Sequence, residues 1–138
     1  MAVFILYCMI ETARELRDFR LTKYRICSPK LNGIRGTKKI IFLSDLHNRM
    51  YGKENERLLE SIKNQHPDLI LIGGDMLVRK DGNSYDRTVR FLEKLPAICP
   101  VYCANGNHEQ KLKDCRISMN ESYEGYKKAT DSMRNSYA

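Results

Sequence analysis

Three apolar runs, each closed by a short polar cluster, constrain the fold of this chain more than any other feature. Ile40-Ile41-Phe42-Leu43-Ser44 leads into Asp45-Leu46-His47, and Leu69-Ile70-Leu71-Ile72 leads into Gly73-Gly74-Asp75. Val101-Tyr102-Cys103-Ala104-Asn105 leads into Gly106-Asn107-His108-Glu109. In a parallel sheet the strands read as continuous apolar runs, and ligands gather beyond their carboxyl ends. The pattern therefore predicts three strands of one sheet with all three clusters on one rim. That rim carries two Asp, two His and an Asn.

The segments between the runs support this arrangement. Residues 53–65 read as a helix, with Leu58, Leu59 and Ile62 at helical spacing and Pro67 ending it. Residues 84–95 read as a second helix, with Ser84 as cap and Val89, Phe91, Leu92 and Leu95 as apolar positions. Strands are expected at 38–44, 68–72 and 101–104. Strand, helix, strand, helix, strand is a βαβαβ unit, and right-handed crossovers make its sheet parallel. The fold class expected is therefore α/β. Upstream, a helix to about residue 20 is followed by an alternating segment, Leu21 to Ile26, that predicts a further strand near 21–27. Ser28-Pro29 and Asn32-Gly33 are turn signals. Beyond Glu109 the pattern fades, and residues 118–138, with Tyr123 and Tyr126 at helical spacing, read as a helix or a frayed tail.

At 138 residues one domain is the default, and 42% apolar with 30% charged residues places the chain among globular proteins. The five Cys are odd in number and irregularly spaced, which argues against a secreted disulfide framework and for a reducing compartment. Cys99 and Cys103 lack the second Cys/His pair a zinc site needs. Residues 1–40 hold nine Lys/Arg against three Asp/Glu, whereas residues 41–109 hold nine against ten. The net charge of +7 thus sits away from the polar clusters. A nucleic-acid binder concentrates basic charge on its working face, so no specific nucleic acid is expected as a partner.

Residues 1–10 are uncharged and apolar, and Glu11, Arg14, Arg17 and Arg20 follow. Ten residues are too few to span a bilayer, which takes about 20. There is no charged stretch before the run and no small-residue cleavage site after it, so a secretory signal is not indicated. Two readings stay open: the stub of a membrane anchor with a basic cytoplasmic flank, or a helix packing on the domain with Leu16 and Phe19 extending its apolar face. The division expected is an apolar and basic helical segment over 1–20 and a domain over 21–138. A membrane surface met through residues 1–25 is a candidate partner. The expected location is cytoplasmic, either free or held at the inner face of a membrane.

The rim residues suit divalent cations. Asp offers an anionic oxygen that can bridge two ions, neutral His an imidazole nitrogen, and Asn a carbonyl oxygen. The mixed set favours Mn, Fe, Zn, Co or Ni over a pure Mg or Ca cage. Asp45 and His47, two apart, point the same way in extended chain and could grip one ion. Asp75 could reach that ion and a second, and Asn107 could hold the second. His108 would then project toward substrate, where an imidazolium can donate a hydrogen bond to phosphate or protonate a leaving alkoxide. Asp45 is the natural candidate to orient it. Each cluster alone is commonplace, and His66, ahead of Pro67, reads as structural. The informative signal is three clusters at three strand ends.

In that order and spacing, Asp-x-His, Gly-Asp and Gly-Asn-His-Glu, the chain resembles the calcineurin-like metallophosphoesterases. Phe42-Leu43-Ser44-Asp45-Leu46-His47-Asn48, Tyr51-Gly52, Asn55, Pro67-Asp68-Leu69-Ile70 and Pro100-Val101-Tyr102 resemble the bacterial membrane-associated branch of that family. The likeness covers roughly residues 21–110. It implies hydrolysis of phosphomonoesters or phosphodiesters at a site of two divalent metal ions. By the same resemblance Asp45 and His47 take the first ion, Asp75 bridges and Asn107 takes the second. His108 is the catalytic acid or phosphate-polarising group. The implied fold is the N-terminal half of a two-sheet α/β sandwich flanked by helices.

The family also supplies a further His to the second ion, and a Gly-His-x-His motif completes both metal shells. Here the only His are 47, 66 and 108. The expectation is therefore a truncated phosphoesterase with low activity by itself. The rival is a non-catalytic binding or scaffold protein that keeps the half-fold.

Overall fold

A computed structural model of the chain describes residues 1–15, 18–31, 33, 36–78, 85–114 and 120–135. They fall into two units, Met1–Thr37 and Lys38–Ala138. In the first, α1 (Ala2–Glu15) is followed by a short 3-10 turn at Pro29–Leu31. Val3, Phe4, Ile5, Leu6, Tyr7, Met9 and Ile10 of α1 are all exposed. No helix among the described residues is long and apolar enough to cross a membrane.

The strand expected near 21–27 does not form; residues 18–28 adopt neither helix nor strand. The alternation there is real, but a strand exists only through ladder bonds to a neighbour. Leu21, Tyr24 and Ile26 are exposed instead. Arg17, Leu16, Asn32, Ser84 and Cys115 lie outside the described residues.

The second unit holds the expected βαβαβ order. Strands β1 (Ile40–Leu43), β2 (Leu69–Ile72) and β3 (Val101–Cys103) form a three-stranded sheet in the order β1-β2-β3, parallel throughout. Helix α2 (Glu56–Asn64) joins the first pair and α3 (Asp86–Glu93) the second. Right-handed crossovers between sequential strands put both helices on one face of the sheet. That face, Ile70, Ile72 and Val101 with Leu58 and Ile62 of α2 and Phe91 and Leu92 of α3, is the core.

Local chemistry trims the expected helices. Residues 53–55 form a short 3-10 turn that kinks at Glu54 and Asn55, whose φ values are positive at 54° and 61° and so break helical geometry before Glu56. The Asn55 side chain stabilises that kink by accepting from Tyr51 N at 2.7 Å, a local bond typical of Asn in left-handed geometry. The α-helix therefore begins at Glu56. At the end of α3, Pro96 falls in a 3-10 turn at Leu95–Ala97 that carries the chain toward β3.

After β3 come α4 (Asn107–Asp114), which the sequence pattern does not reveal, and α5 (Asn120–Asn135). The latter decides between the two readings of the C-terminal region. It is a helix lying against α3, α4 and β3, with Tyr126 and Ala129 buried.

Candidate functional site

Beyond the strand ends the ladder pattern continues for several residues. Gly73 N donates to Leu43 O, Asp45 N to Gly74 O, His47 N to Asp75 O and Asn48 N to Met76 O, at 2.8–3.1 Å. These bonds carry the first polar cluster alongside the second. The backbone bends sharply to make them: Asp45, His47, Asn48 and Asp75 all have positive φ, between 51° and 58°. Left-handed geometry is uncommon for residues with a Cβ, and such strain collects where a site fixes side chains in place. Three of the four metal ligands expected from the sequence are in this set.

Two glycines bring the third cluster into contact with the second. Gly74, at φ 93°, packs against the backbone of Gly106, and a Cβ on either would strike the other loop. Gly106 stands directly over the Asp75 backbone and carboxylate. Only glycine permits this approach. Asp75 Oδ1 in turn accepts from His108 N at 2.9 Å, capping the first turn of α4 from a neighbouring loop.

The side chains lie as follows. Asp45 Oδ1 is 3.6 Å from His47 Nε2, with the Asp45 side chain 65% exposed and His47 33%. Ser44 Oγ donates to Asp45 Oδ2. The His47 and His108 rings meet edge to face, with centroids 5.1 Å apart and an interplanar angle of 84°. Asn107 is exposed at the first position of α4. His66, as expected, is elsewhere, past the end of α2. The rim thus brings together Asp45, His47, Asp75, Asn107 and His108.

The donor set fits a divalent cation in its chemistry: Asp45 and His47 face each other as an oxygen and nitrogen pair, open to solvent. Among the described residues no group of three His, Cys, Asp or Glu side chains is close enough to hold an ion by itself. Asp45 and His47, 3.6 Å apart, are the two donors the rim brings face to face.

Thr88 escapes the sequence pattern, and Glu109, although part of the third cluster, has a role the pattern does not express. Thr88 Oγ1 of α3, fully buried, donates to Asn48 Oδ1 at 3.1 Å and anchors the loop that carries His47. Glu109 is also fully buried and reaches three backbone N–H groups. A capping signature could have exposed it, since Glu109 is the third helical residue after Gly106, the position from which an acidic side chain reaches back to the cap. Burial pushes the thiols of Cys99 and Cys103 upward, Cys103 to about 11.

Residues 38–137 match the family model described as calcineurin-like phosphoesterase. Comparison with the curated proteins and with the solved structures yields no match.

Proposed function

Because the chain belongs to the calcineurin-like phosphoesterases, a family of metal-dependent phosphoesterases, we propose that its strand-end rim binds divalent cations and acts on phosphate esters. Asp45 and His47 hold the first ion, Asp75 bridges, and Asn107 holds the second. The observation that supports this reading is the joining of the strand-end loops: His47 N donates to Asp75 O, Asp45 N donates to Gly74 O, and the ring of His108 lies against His47. Divalent cations bound there supply Lewis acidity and a water ionised near neutral pH. His108, on the first turn of α4, presents a ring N–H to a phosphate oxygen or gives its proton to the leaving alkoxide. Ser44 holds Asp45 by a hydrogen bond, and Asp75 holds the His108 backbone.

This chain has no His after 108 to complete a second metal shell, so weak metal binding and slow hydrolysis are proposed for it alone. Calorimetric titration with Mn should show binding that His47→Ala abolishes. Hydrolysis of p-nitrophenyl phosphate or its bis-ester should be barely detectable. Fast turnover that His108→Ala removes would overturn the proposed weakness. Mn binding indifferent to His47→Ala would sink the site itself. Phosphoester binding with no hydrolysis under any metal would favour the scaffold alternative.

We further propose that the chain belongs to the membrane-associated branch, with α1 lying on the inner face of an anionic bilayer. Seven large apolar side chains exposed along α1, and the basic residues after it, support this. Flotation with vesicles containing phosphatidylserine should carry the chain, and removal of residues 1–10 should end it. Equal flotation without those residues would refute the placement.

A further inference from the structure

Glu109 is the one acidic side chain among the described residues that is completely buried, and no proposed catalytic step uses it. Its Oε2 accepts from Asp75 N at 2.8 Å and from Gly106 N at 2.9 Å. Its Oε1 accepts from Leu77 N at 2.9 Å. Two of those donors belong to the loop after β2, and the third is the cap residue of α4. The reverse link is the Asp75 carboxylate, which accepts from His108 N. Each loop therefore holds the other through a carboxylate, with Gly74 and Gly106 in contact between them.

From this geometry we infer that Glu109 is a positioning residue that fixes Asp75 against Asn107 and His108. Asp75 sits at φ 53°, a conformation a residue with a Cβ does not favour unaided. The bond from its own N–H to Glu109, with those from His47 N to its carbonyl and from His108 N to its carboxylate, over-determines it there. Release of that bond lets Asp75 return to ordinary backbone geometry, which swings its carboxylate away from the rim and frees the His108 N–H. The inference rests on the cation-binding reading of the rim for its functional consequence, but not for the clasp itself.

The chemistry of the clasp makes it unusually selective. Three N–H donors meet two acceptor oxygens, so an amide in place of the carboxylate must turn its NH2 toward at least one donor. An Asp keeps the charge and shortens the arm by one methylene, too short to reach both loops. Groups that orient metal ligands from behind typically change metal affinity by about 10–100-fold when removed.

The test compares Glu109→Gln and Glu109→Asp with the wild-type full chain, using Phe91→Leu as a control that lowers stability away from the rim. Hydrogen exchange should show loss of protection at the Asp75, Leu77 and Gly106 amides in both Glu109 variants, with β2 amides still protected. Mn affinity should fall at least tenfold in both, and stay unchanged in Phe91→Leu. Restoration of Mn affinity by Glu109→Asp would mean that charge alone matters and would overturn the clasp. So would unchanged protection of the three amides in Glu109→Gln. If wild type itself does not bind Mn, the cation reading fails, and the exchange experiment still decides the clasp.

Discussion

On one face of the sheet Ile70, Ile72 and Val101 are almost fully buried; on the other Ile40, Phe42 and Tyr102 are 56%, 66% and 58% exposed. The register explains the grouping. Ile40, Leu69, Phe42, Leu71 and Tyr102 alternate with the core residues across paired strands, so each set shares a face. Composition does not separate the two faces, since both are apolar. Connection geometry does. Sequential parallel strands with right-handed crossovers place α2 and α3 on the same side, and α5 packs there as well, against α3 and β3. An apolar strand residue is therefore buried or bare according to the path of the chain between strands.

The largest effect that sharpens this contrast is Ile70→Ala. It removes a fully buried side chain at the centre of the sheet and should cost about 2–5 kcal/mol, read from the urea unfolding midpoint. A cost below 1 kcal/mol would mean the covered face is loosely packed. An intermediate effect comes from Cys103, on the same face at the edge of the core, whose thiol burial raises to about 11. In the unfolded chain the thiol ionises near the ordinary value of 9.0, while in the folded chain it stays protonated across that range. Its contribution is thus intact below pH 9 and lost as pH rises toward 11. Unfolding measured across that interval should decline less steeply in Cys103→Ala than in wild type; parallel curves would show that the thiol is not desolvated. The smallest effect is Tyr102→Thr on the bare face, a β-compatible change expected to move stability by no more than about 0.5 kcal/mol. A loss approaching that of Ile70→Ala would break the comparison, because it would require that face to be covered in solution.

How legible the molecule was in its sequence differs from element to element. β1, β2 and β3 lie within the expected runs because short apolar, β-branched segments bounded by Gly and Pro have few other stable states. α2 and α3 were legible from helical spacing, although Asn55 and Pro96 trimmed their ends by local bonding that periodicity does not express. The strand near 21–27 was misread because alternation describes a surface and cannot supply a partner. α4 was missed because its few apolar residues make no periodic stripe; its first turn is stabilised instead by a local cap from Glu109 to Gly106 N and a tertiary one from Asp75 to His108 N. The residue types of the candidate site could be picked out one by one. Their meeting at the rim depends on bonds between loops some thirty residues apart, such as His47 N to Asp75 O and His108 N to Asp75 Oδ1.

By itself the sequence determined which segments become strands and which residues follow them, because side-chain hydrophobicity and backbone preference act over a few neighbours. From order and spacing it also indicated the family that the match over residues 38–137 bears out. Only the tertiary structure decided which sheet face is covered and that Asp75 and Glu109 hold two loops to each other. Those outcomes rest on crossover handedness and on hydrogen bonds between segments distant in the chain. Such contacts exist only after the chain has closed on itself.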